Sequence, residues 1–217
     1  MKKVITDTSK SQKYETYESL KNLFNEYQIN YREIEHIEEG RSDQIAEIRG
    51  NERGQAAKAM VIDVSLLGGI HQYHLLVLPG DRKVDLEVIK KFTKVNKVSF
   101  AKTKIMKRLT NCESGAVPPF SFNENLNIIV DPALYQNKEI VFNAGRLDRS
   151  IYISVEDYRK IMENEYKEKP RAVELDISQG KEISSKEIKK DEEVERLSQD
   201  FETKVEISSC YVSKEKK

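Results

Sequence analysis

Gly115-Ala116-Val117-Pro118-Pro119-Phe120 stands near the middle of this 217-residue chain. Proline fixes φ and lacks an amide donor, so two adjacent prolines cannot continue a helix or a central strand. We therefore predict a stiff loop whose remaining backbone amides can face a ligand. Taken alone, a segment of this kind is also typical of a plain surface turn.

Two other segments accompany this loop. Upstream, Gln55-Ala56-Ala57-Lys58-Ala59-Met60-Val61 places one lysine at the start of an apolar run, and downstream, Phe142-Asn143-Ala144-Gly145-Arg146 precedes an apolar alternation. In this order the three segments resemble the YbaK/EbsC family of aminoacyl-tRNA deacylases, which includes the editing domain of prolyl-tRNA synthetase. The resemblance runs from about residue 34 to about residue 162.

The resemblance implies a role for particular residues. Lys58 would face the acceptor end of the substrate, where its ammonium donates to the ester or to the terminal-adenosine phosphate. Gly115 would let the backbone approach the ligand, with free amides beside it forming an oxyanion site, and Pro118 would fix the shape of the loop. The expected substrate-binding residues are His36, Ala116, Val117, Pro119, Phe120, Gly145 and Ser150.

Each of these residues also has a plainer interpretation. A lysine between alanines is commonly a solvated rim residue, Gly145 is typical of a hairpin turn, and His36 can be structural. The loop also departs from its relatives, which often continue with glycine and histidine where this chain has Ser121 and Phe122. Phe122 could instead close the pocket. This departure leaves the amino-acid specificity open.

Apolar periodicity predicts the secondary structure. Tyr14, Tyr17, Leu20, Phe24 and Tyr27 recur at helical spacing, and later helices are expected around Ile45, Ile89, Met106 and Ile161. Strands are expected over 30–37, 58–67, 71–78, 98–101, 126–130, 140–143 and 150–155. Because strands and helices intermix without a βαβ rhythm, we predict an α+β fold with a mixed, partly antiparallel sheet. The family resemblance implies that this sheet is partly closed and that helices pack around it.

The domain organisation follows from a change in composition. Residues 1–166 are predicted to form the editing domain, and residues 167–217 a C-terminal extension dominated by lysine and glutamate. Val173, Leu175 and Ile177 alternate within it, as do Val205 and Ile207. The extension is expected to be either flexible or a small docked addition.

Charge is unevenly distributed along the chain. The 37 basic residues balance the 37 acidic ones, yet between residues 82 and 108 ten basic residues face only two acidic ones. This stretch is interpreted either as solvated helix faces or as a surface for a tRNA backbone. Phe92 and Phe100, which lie within it, fit core positions.

Several kinds of site are not indicated. The chain contains no Gly-x-Ser-x-Gly, His-Glu-x-x-His or phosphate-binding glycine loop, and His71 and His74 lack a neighbouring third ligand. We predict neither a metal nor another cofactor. Cys112 and Cys210 are interpreted as reduced thiols, and the apolar runs are too short for a signal peptide or a membrane span, so a cytoplasmic location without membrane contact is expected.

The resemblance implies hydrolysis of the ester of a mischarged tRNA. We expect a trans-acting deacylase, with alanine or cysteine on a prolyl tRNA as the substrate and tRNA as the partner. An aminoacyl-tRNA synthetase is a second candidate partner. The alternatives are a catalytically weak module that binds a tRNA end or nucleotide in the same pocket, and an interaction factor that works through its charged extension.

Overall fold

The computed structural model of the protein describes residues 14–95, 97–166 and 172–179. The helices in these residues are α1 (Glu15–Glu26), α2 (Ser42–Arg49), α3 (Leu86–Thr93), α4 (Thr103–Thr110) and α5 (Val155–Glu165). The strands are β1 (Tyr31–Glu35), β2 (Ala57–Ser65), β3 (His71–Pro79), β4 (Lys83–Val84), β5 (Lys97–Phe100), β6 (Leu126–Val130), β7 (Glu139–Asn143), β8 (Arg149–Ser154), β9 (Ala172–Glu174) and β10 (Ser178–Gln179). Their order confirms the predicted α+β class.

The described strands form a five-stranded mixed sheet, a three-stranded antiparallel sheet and a two-stranded antiparallel sheet of β4 and β10. The mixed sheet has the order β5-β2-β3-β6-β9, in which β2 pairs antiparallel with β3 and β5, whereas β6 pairs parallel with β3 and β9. The three-stranded sheet has the order β1-β8-β7. A single parallel bridge between Ala56 and Val141 connects the mixed sheet and the three-stranded sheet next to β2. This connection accounts for the partly closed sheet.

The mixed sheet is buried on both faces. Successive side chains of β2 point to opposite faces of the sheet, and apolar side chains occur on each face. Val61 belongs to the main core, where α1 contributes the fully buried Leu20 and Phe24. Ile62 belongs to a second core under α3, together with Ile89. Burial of each such side chain contributes roughly 1.5–3 kcal/mol to folding.

Part of the C-terminal extension packs onto the domain. Strand β9 extends the mixed sheet beside β6, β10 pairs with β4, and Ile177 between them is fully buried in the second core. Residues 180–217, including the alternation at Val205 and Ile207, lie outside the described residues.

One predicted core position is wrong. Phe92 is buried as expected, but half of the Phe100 side chain is exposed. Phe100 is the last residue of β5, which is the edge strand of the mixed sheet, so it has a sheet neighbour on one side only.

Candidate functional site

The site lies along the edge of β2 that faces away from β3, which we call the outer edge. Along this edge the pairing with β5 stops before the bridge to β7 begins. Strand β5 pairs only with residues 62–65 of β2, and the Ala101 amide donates to the Val61 carbonyl at 2.9 Å. At the other end, Ala56 bridges Val141 of the three-stranded sheet. Between these points, residues 57–60 have no strand partner on this edge in the described part of the chain.

This gap leaves backbone groups of β2 available. The Val61 carbonyl points to the outer edge, and strand periodicity aims the Ala59 amide and carbonyl the same way. On that edge Ala59 makes no hydrogen bond to any described residue. A cavity of about 60 Å³ opens here, lined by Lys58 and Ala59 of β2 and by residues of α2, β7 and the proline-containing loop.

Lys58 lies in the wall of this cavity. Its side chain is half-buried, and its ammonium donates to the Arg82 carbonyl in the turn after β3. Burial lowers the pKa of Lys58, and the nearby Asp81 carboxylate opposes that effect. An ammonium has three N–H groups, and the Arg82 carbonyl uses one of those of Lys58.

Gly115 of the loop also lines the cavity, and its backbone crosses that of Gly40. Gly115 has φ +86°, and a Cβ at this position would lie 2.5 Å from the Gly40 Cα. The Asn143 side-chain amide donates to the Gly115 carbonyl at 2.8 Å and to the Glu39 carbonyl at 2.9 Å. Asn143 therefore holds both segments of the crossing.

Of the described residues in the loop, two combine an unbonded amide with a place in the cavity wall. The Ala116 amide donates to the Glu113 carbonyl at 3.0 Å, and the two prolines have no N–H. The Gly115 and Val117 amides make no hydrogen bond within the described residues. Both residues line the cavity with Lys58. The Gly115 and Val117 amides are therefore the candidates for the oxyanion site expected beside Gly115.

The remaining residues of the loop, from Pro118 to Phe120, are buried and pack against the main core. Phe120 packs its ring against Phe24, Phe142 and Tyr158 at centroid distances of 5.8, 5.9 and 5.2 Å. The Pro119 carbonyl accepts a hydrogen bond from the Tyr158 hydroxyl at 3.1 Å, and Pro118 is buried. None of the three residues from Pro118 to Phe120 lines the Lys58 cavity.

Ala116 and Gly145 line a different cavity. This second cavity, of about 360 Å³, lies beside Cys112 and Lys107. The Gly145 amide donates to the Ala116 carbonyl at 3.0 Å, so the two segments are bound to each other. The structure therefore does not bring these two predicted residues into the Lys58 cavity.

His36 and Ser150 belong to a hydrogen-bond network beside the cavity. The His36 Nε2 atom lies 2.6 Å from the Ser150 Oγ, and the Arg49 Nε donates to that Oγ at 2.7 Å. Arg49 also donates from Nη2 to Asn143 Oδ1. Arg49 and Asn143 line the cavity, whereas Ser150 is fully buried.

Sequence reasoning missed Arg49 and gave Asn143 no role. Arg49 lies 94 positions from Asn143 and 101 from Ser150, so no local pattern connects them. Asn143 belongs to the segment Phe142-Asn143-Ala144-Gly145-Arg146 that resembles the family, and this resemblance is the sequence signal for it.

The loop exit also differs from the expectation. The Ser121 hydroxyl donates to the Leu126 carbonyl at 2.8 Å, and the Ser121 amide donates to the Tyr166 hydroxyl at 3.2 Å. Phe122 is 43% exposed and does not line the Lys58 cavity. Ser121 thus fixes the loop exit, and Phe122 does not close the cavity.

The described residues contain no group of three or more His, Cys, Asp or Glu side chains arranged to hold a metal ion. His71 is exposed and contacts Asp63 at 2.7 Å, whereas His74 is buried. None of the helices described is both long enough and apolar enough to cross a membrane.

Comparison with known proteins identifies the family. The family model for the aminoacyl-tRNA editing domain matches residues 39–161. A relative from Escherichia coli strain K12, named multifunctional Ser/Thr-tRNA deacylase ProXp-y, is 35% identical over 151 residues, which cover 69% of this chain and 90% of the relative. A protein of the same name from Escherichia coli O157:H7 matches equally.

Solved structures share the fold. A putative trans-editing enzyme for prolyl-tRNA synthetase superposes with a TM-score of 0.58 at 18% identity, over 76% of this chain and 98% of that structure. The hypothetical protein APE2540 superposes with a TM-score of 0.63 at 18% identity, over 74% and 99%. The sequence matches confirm the predicted enzyme class, a hydrolase of aminoacyl-tRNA esters. The chain belongs to the aminoacyl-tRNA editing domain family.

Proposed function

We propose that this chain acts in trans as a deacylase that removes a small, wrongly attached amino acid from the terminal adenosine of a tRNA. One observation carries the proposal: Lys58, Ala59, Gly115 and Val117 line a single small cavity. An aminoacyl ester is already activated, so its hydrolysis requires mainly positioning, a water molecule and donors for the oxyanion. A protein nucleophile is not needed.

Each group has a proposed task. The Gly115 and Val117 amides would donate to the carbonyl oxygen of the ester as it becomes an oxyanion, and the Lys58 ammonium would add positive charge on the same side. The Ala59 carbonyl can accept from the α-ammonium of the amino acid. A hydroxyl of the terminal ribose would assist the attacking water, as the family resemblance implies. Pro118 and Pro119 limit the conformational entropy lost on binding.

The amino acid is proposed to be small and polar. The cavity volume of about 60 Å³ excludes large side chains, which is the size criterion of an editing site. Ser42 lies in its wall, and the Ser42 hydroxyl can pair with a hydroxyl of the amino acid. The name of the Escherichia coli relative also supports serine and threonine. We therefore place seryl and threonyl esters before the alanyl and cysteinyl esters of prolyl tRNA that the sequence favoured.

Helix α4 is the proposed surface for the acceptor stem. Lys102, just before it, and Lys104, Lys107 and Arg108 within it are exposed, and the helix contains no acidic residue. Its C-terminal end leads directly into the loop at Gly115, and Lys107 reaches the wall of the second cavity. Basic side chains beside the site fit the phosphate backbone of tRNA. A synthetase that releases the mischarged tRNA is a further proposed partner.

A second candidate function is binding without turnover. It is favoured by the engagement of the Lys58 ammonium with the Arg82 carbonyl, which holds that charge away from a ligand. A substrate must compete with this carbonyl if Lys58 takes part in hydrolysis.

A panel of charged tRNAs tests the proposal. Purified protein is incubated with seryl-, threonyl-, alanyl- and cysteinyl-tRNAs, including alanine and cysteine on prolyl tRNA, and release of the amino acid is followed. We expect turnover of at least one seryl or threonyl ester and a decrease in kcat/KM of about 100-fold or more in Lys58→Ala. The matched control is Lys138→Ala, an exposed lysine outside the cavity. Tight binding of the panel without turnover would support the second candidate.

A further inference from the structure

Arg49 is a cation in the cavity wall that lacks an acidic partner. Its guanidinium donates to Ser150 Oγ and Asn143 Oδ1, which are both neutral oxygens. Among the described residues, no carboxylate lies within 4.0 Å of it. Arg146 and Arg149 provide a contrast, because they pair with Asp148 at 2.7 Å and with Glu35 at 3.0 Å.

Such an arrangement costs folding energy unless a ligand provides compensation. Removing a cation from water without a counter-ion is unfavourable. Burial lowers the pKa of Arg49 to about 10, so the side chain still carries its charge at neutral pH. A guanidinium has five N–H groups, and two of those of Arg49 are used by Ser150 and Asn143. The others remain available to an anion.

The neighbouring side chains hold the guanidinium in one orientation. The Ser150 Oγ accepts from Arg49 Nε at 2.7 Å and donates to Asn143 Oδ1 at 3.1 Å. His36 Nε2 lies 2.6 Å from the same Oγ, and its Nδ1 lies 2.8 Å from the Ile37 carbonyl. Arg49, Ser150, Asn143 and His36 thus form one hydrogen-bond network. His36, Ser150 and Asn143 are therefore positioning residues for Arg49.

The chemistry of the substrate identifies the anion. At the aminoacylated end of a tRNA, the ester and the free hydroxyl are neutral and the amino acid carries an α-ammonium. The nearest formal negative charge is the phosphodiester that joins the terminal adenosine to the preceding nucleotide. We propose that Arg49 binds this terminal phosphodiester and thereby places the ester beside the Gly115 loop. The proposal rests on the proposed function, and the planar fork of arginine suits two phosphate oxygens.

A thermodynamic cycle tests this contact directly. Charged acceptor minihelices are prepared with either a normal terminal phosphodiester or a neutral methylphosphonate at the same linkage. Hydrolysis is measured for the wild type, Arg49→Gln, Arg49→Lys and the control Arg32→Gln, an exposed arginine on β1 that pairs with Glu139. We expect Arg49→Gln to raise KM about 10- to 100-fold with a smaller change in kcat.

Coupling between the two changes decides the outcome. If Arg49 contacts this phosphate, the methylphosphonate weakens the wild type and Arg32→Gln but has little further effect on Arg49→Gln. If the two effects multiply, or if Arg49→Gln lowers kcat alone, the proposal is overturned. Should Arg49→Gln fail to fold, as judged by thermal unfolding, Arg49→Lys retains the charge without the fork and is compared in the same cycle.

The proposal can fail independently of the proposed function. If the wild type hydrolyses no ester, equilibrium binding of the uncharged minihelices with both linkages replaces the kinetic cycle. If the Arg49 substitution and the methylphosphonate then weaken binding independently, the proposed Arg49 contact is overturned. Retained coupling supports it even without turnover.

Discussion

The backbone of Gly115 runs so close to that of Gly40 that neither position has space for a side chain. A Cβ on Gly115 would lie 2.5 Å from the Gly40 carbonyl oxygen, and a Cβ on Gly40 would lie 2.9 Å from the Ser114 carbonyl oxygen. Glycine is thus required at position 115 because the Gly40 backbone leaves no space for a side chain there. This close crossing places the Gly115 and Val117 amides at the cavity.

Gly115→Ala should therefore disrupt more than a typical glycine substitution. Its positive φ and the contact with Gly40 together should reduce the free energy of unfolding by about 2 kcal/mol or more and abolish hydrolysis. The matched control is Gly50→Ala, which has φ +68° but no heavy atom within 4 Å of the added Cβ, so it should cost only about 1 kcal/mol. Urea unfolding measures both. Equal destabilisation of the two variants would contradict the argument from the crossing.

His74 should make stability depend on pH. It is fully buried on β3, and burial lowers its pKa from 6.5 to about 4. The unfolded chain therefore binds a proton below about pH 6.5 that the folded protein binds only near pH 4, so stability falls as the pH decreases through this window. We expect a loss of roughly 2 kcal/mol between pH 7.5 and pH 5.

Urea unfolding of the wild type and His74→Leu at these two pH values checks this expectation. The variant should lose about 2 kcal/mol less than the wild type over the same interval. Parallel pH dependences would show that His74 does not carry the effect.

At the level of elements, β2 decides where the cavity forms. Its inner edge pairs with β3 along all nine residues, whereas its outer edge is shared between β5 and a single bridge to β7. The unpaired stretch at residues 57–60 falls between them. An unpaired strand edge exposes backbone donors and acceptors. In this protein the Gly115 loop and α2 lie beside that edge, and the cavity forms between them.

The strands β9 and β10 should stabilise the domain without contributing to the site. A chain that ends at residue 166 loses both strands and the buried Ile177, so it should be less stable by about 2 kcal/mol or more than a chain that ends at residue 179. Both truncated proteins should hydrolyse the same esters, because the cavity wall is formed by residues 40–143. Urea unfolding and the tRNA panel measure the two effects. Loss of hydrolysis in a folded 1–166 chain would show that the extension belongs to the site.

At the level of the whole molecule, basic and acidic residues are equal in number but unevenly distributed along the chain. The formal net charge is zero, so we expect any long-range attraction to tRNA to come from local basic patches such as the stretch at residues 82–108. Lys104 and Arg108 of α4 are exposed beside the loop of the site.

Replacing both residues by glutamine should weaken tRNA binding at low salt. The slope of log Kd against the logarithm of the salt concentration should decrease by about one for each phosphate contact removed. The double variant Arg32→Gln with Lys138→Gln removes the same charge from exposed positions elsewhere and is the control. Equal salt dependences of the two double variants would exclude α4 as the acceptor-stem surface.

Local sequence determined most of the elements. Apolar spacing predicts α1, the β2–β3 hairpin and the later strands to within a few residues, since periodic burial is a local property of the chain. The three family segments also identified Lys58, Gly115 and Val117, which the fold brings to one cavity. Their roles in hydrolysis remain predictions.

Tertiary structure alone decided the rest. Arg49, Asn143 and Ser150 meet although about a hundred residues separate the first from the other two, and no periodicity reports such a contact. Burial likewise separated Phe120, a core residue, from Gly115, a cavity residue, within one six-residue loop. The sequence by itself thus determined the class of fold and the family. Which side chains share the cavity depended on long-range packing, because a few residues distant in sequence close it.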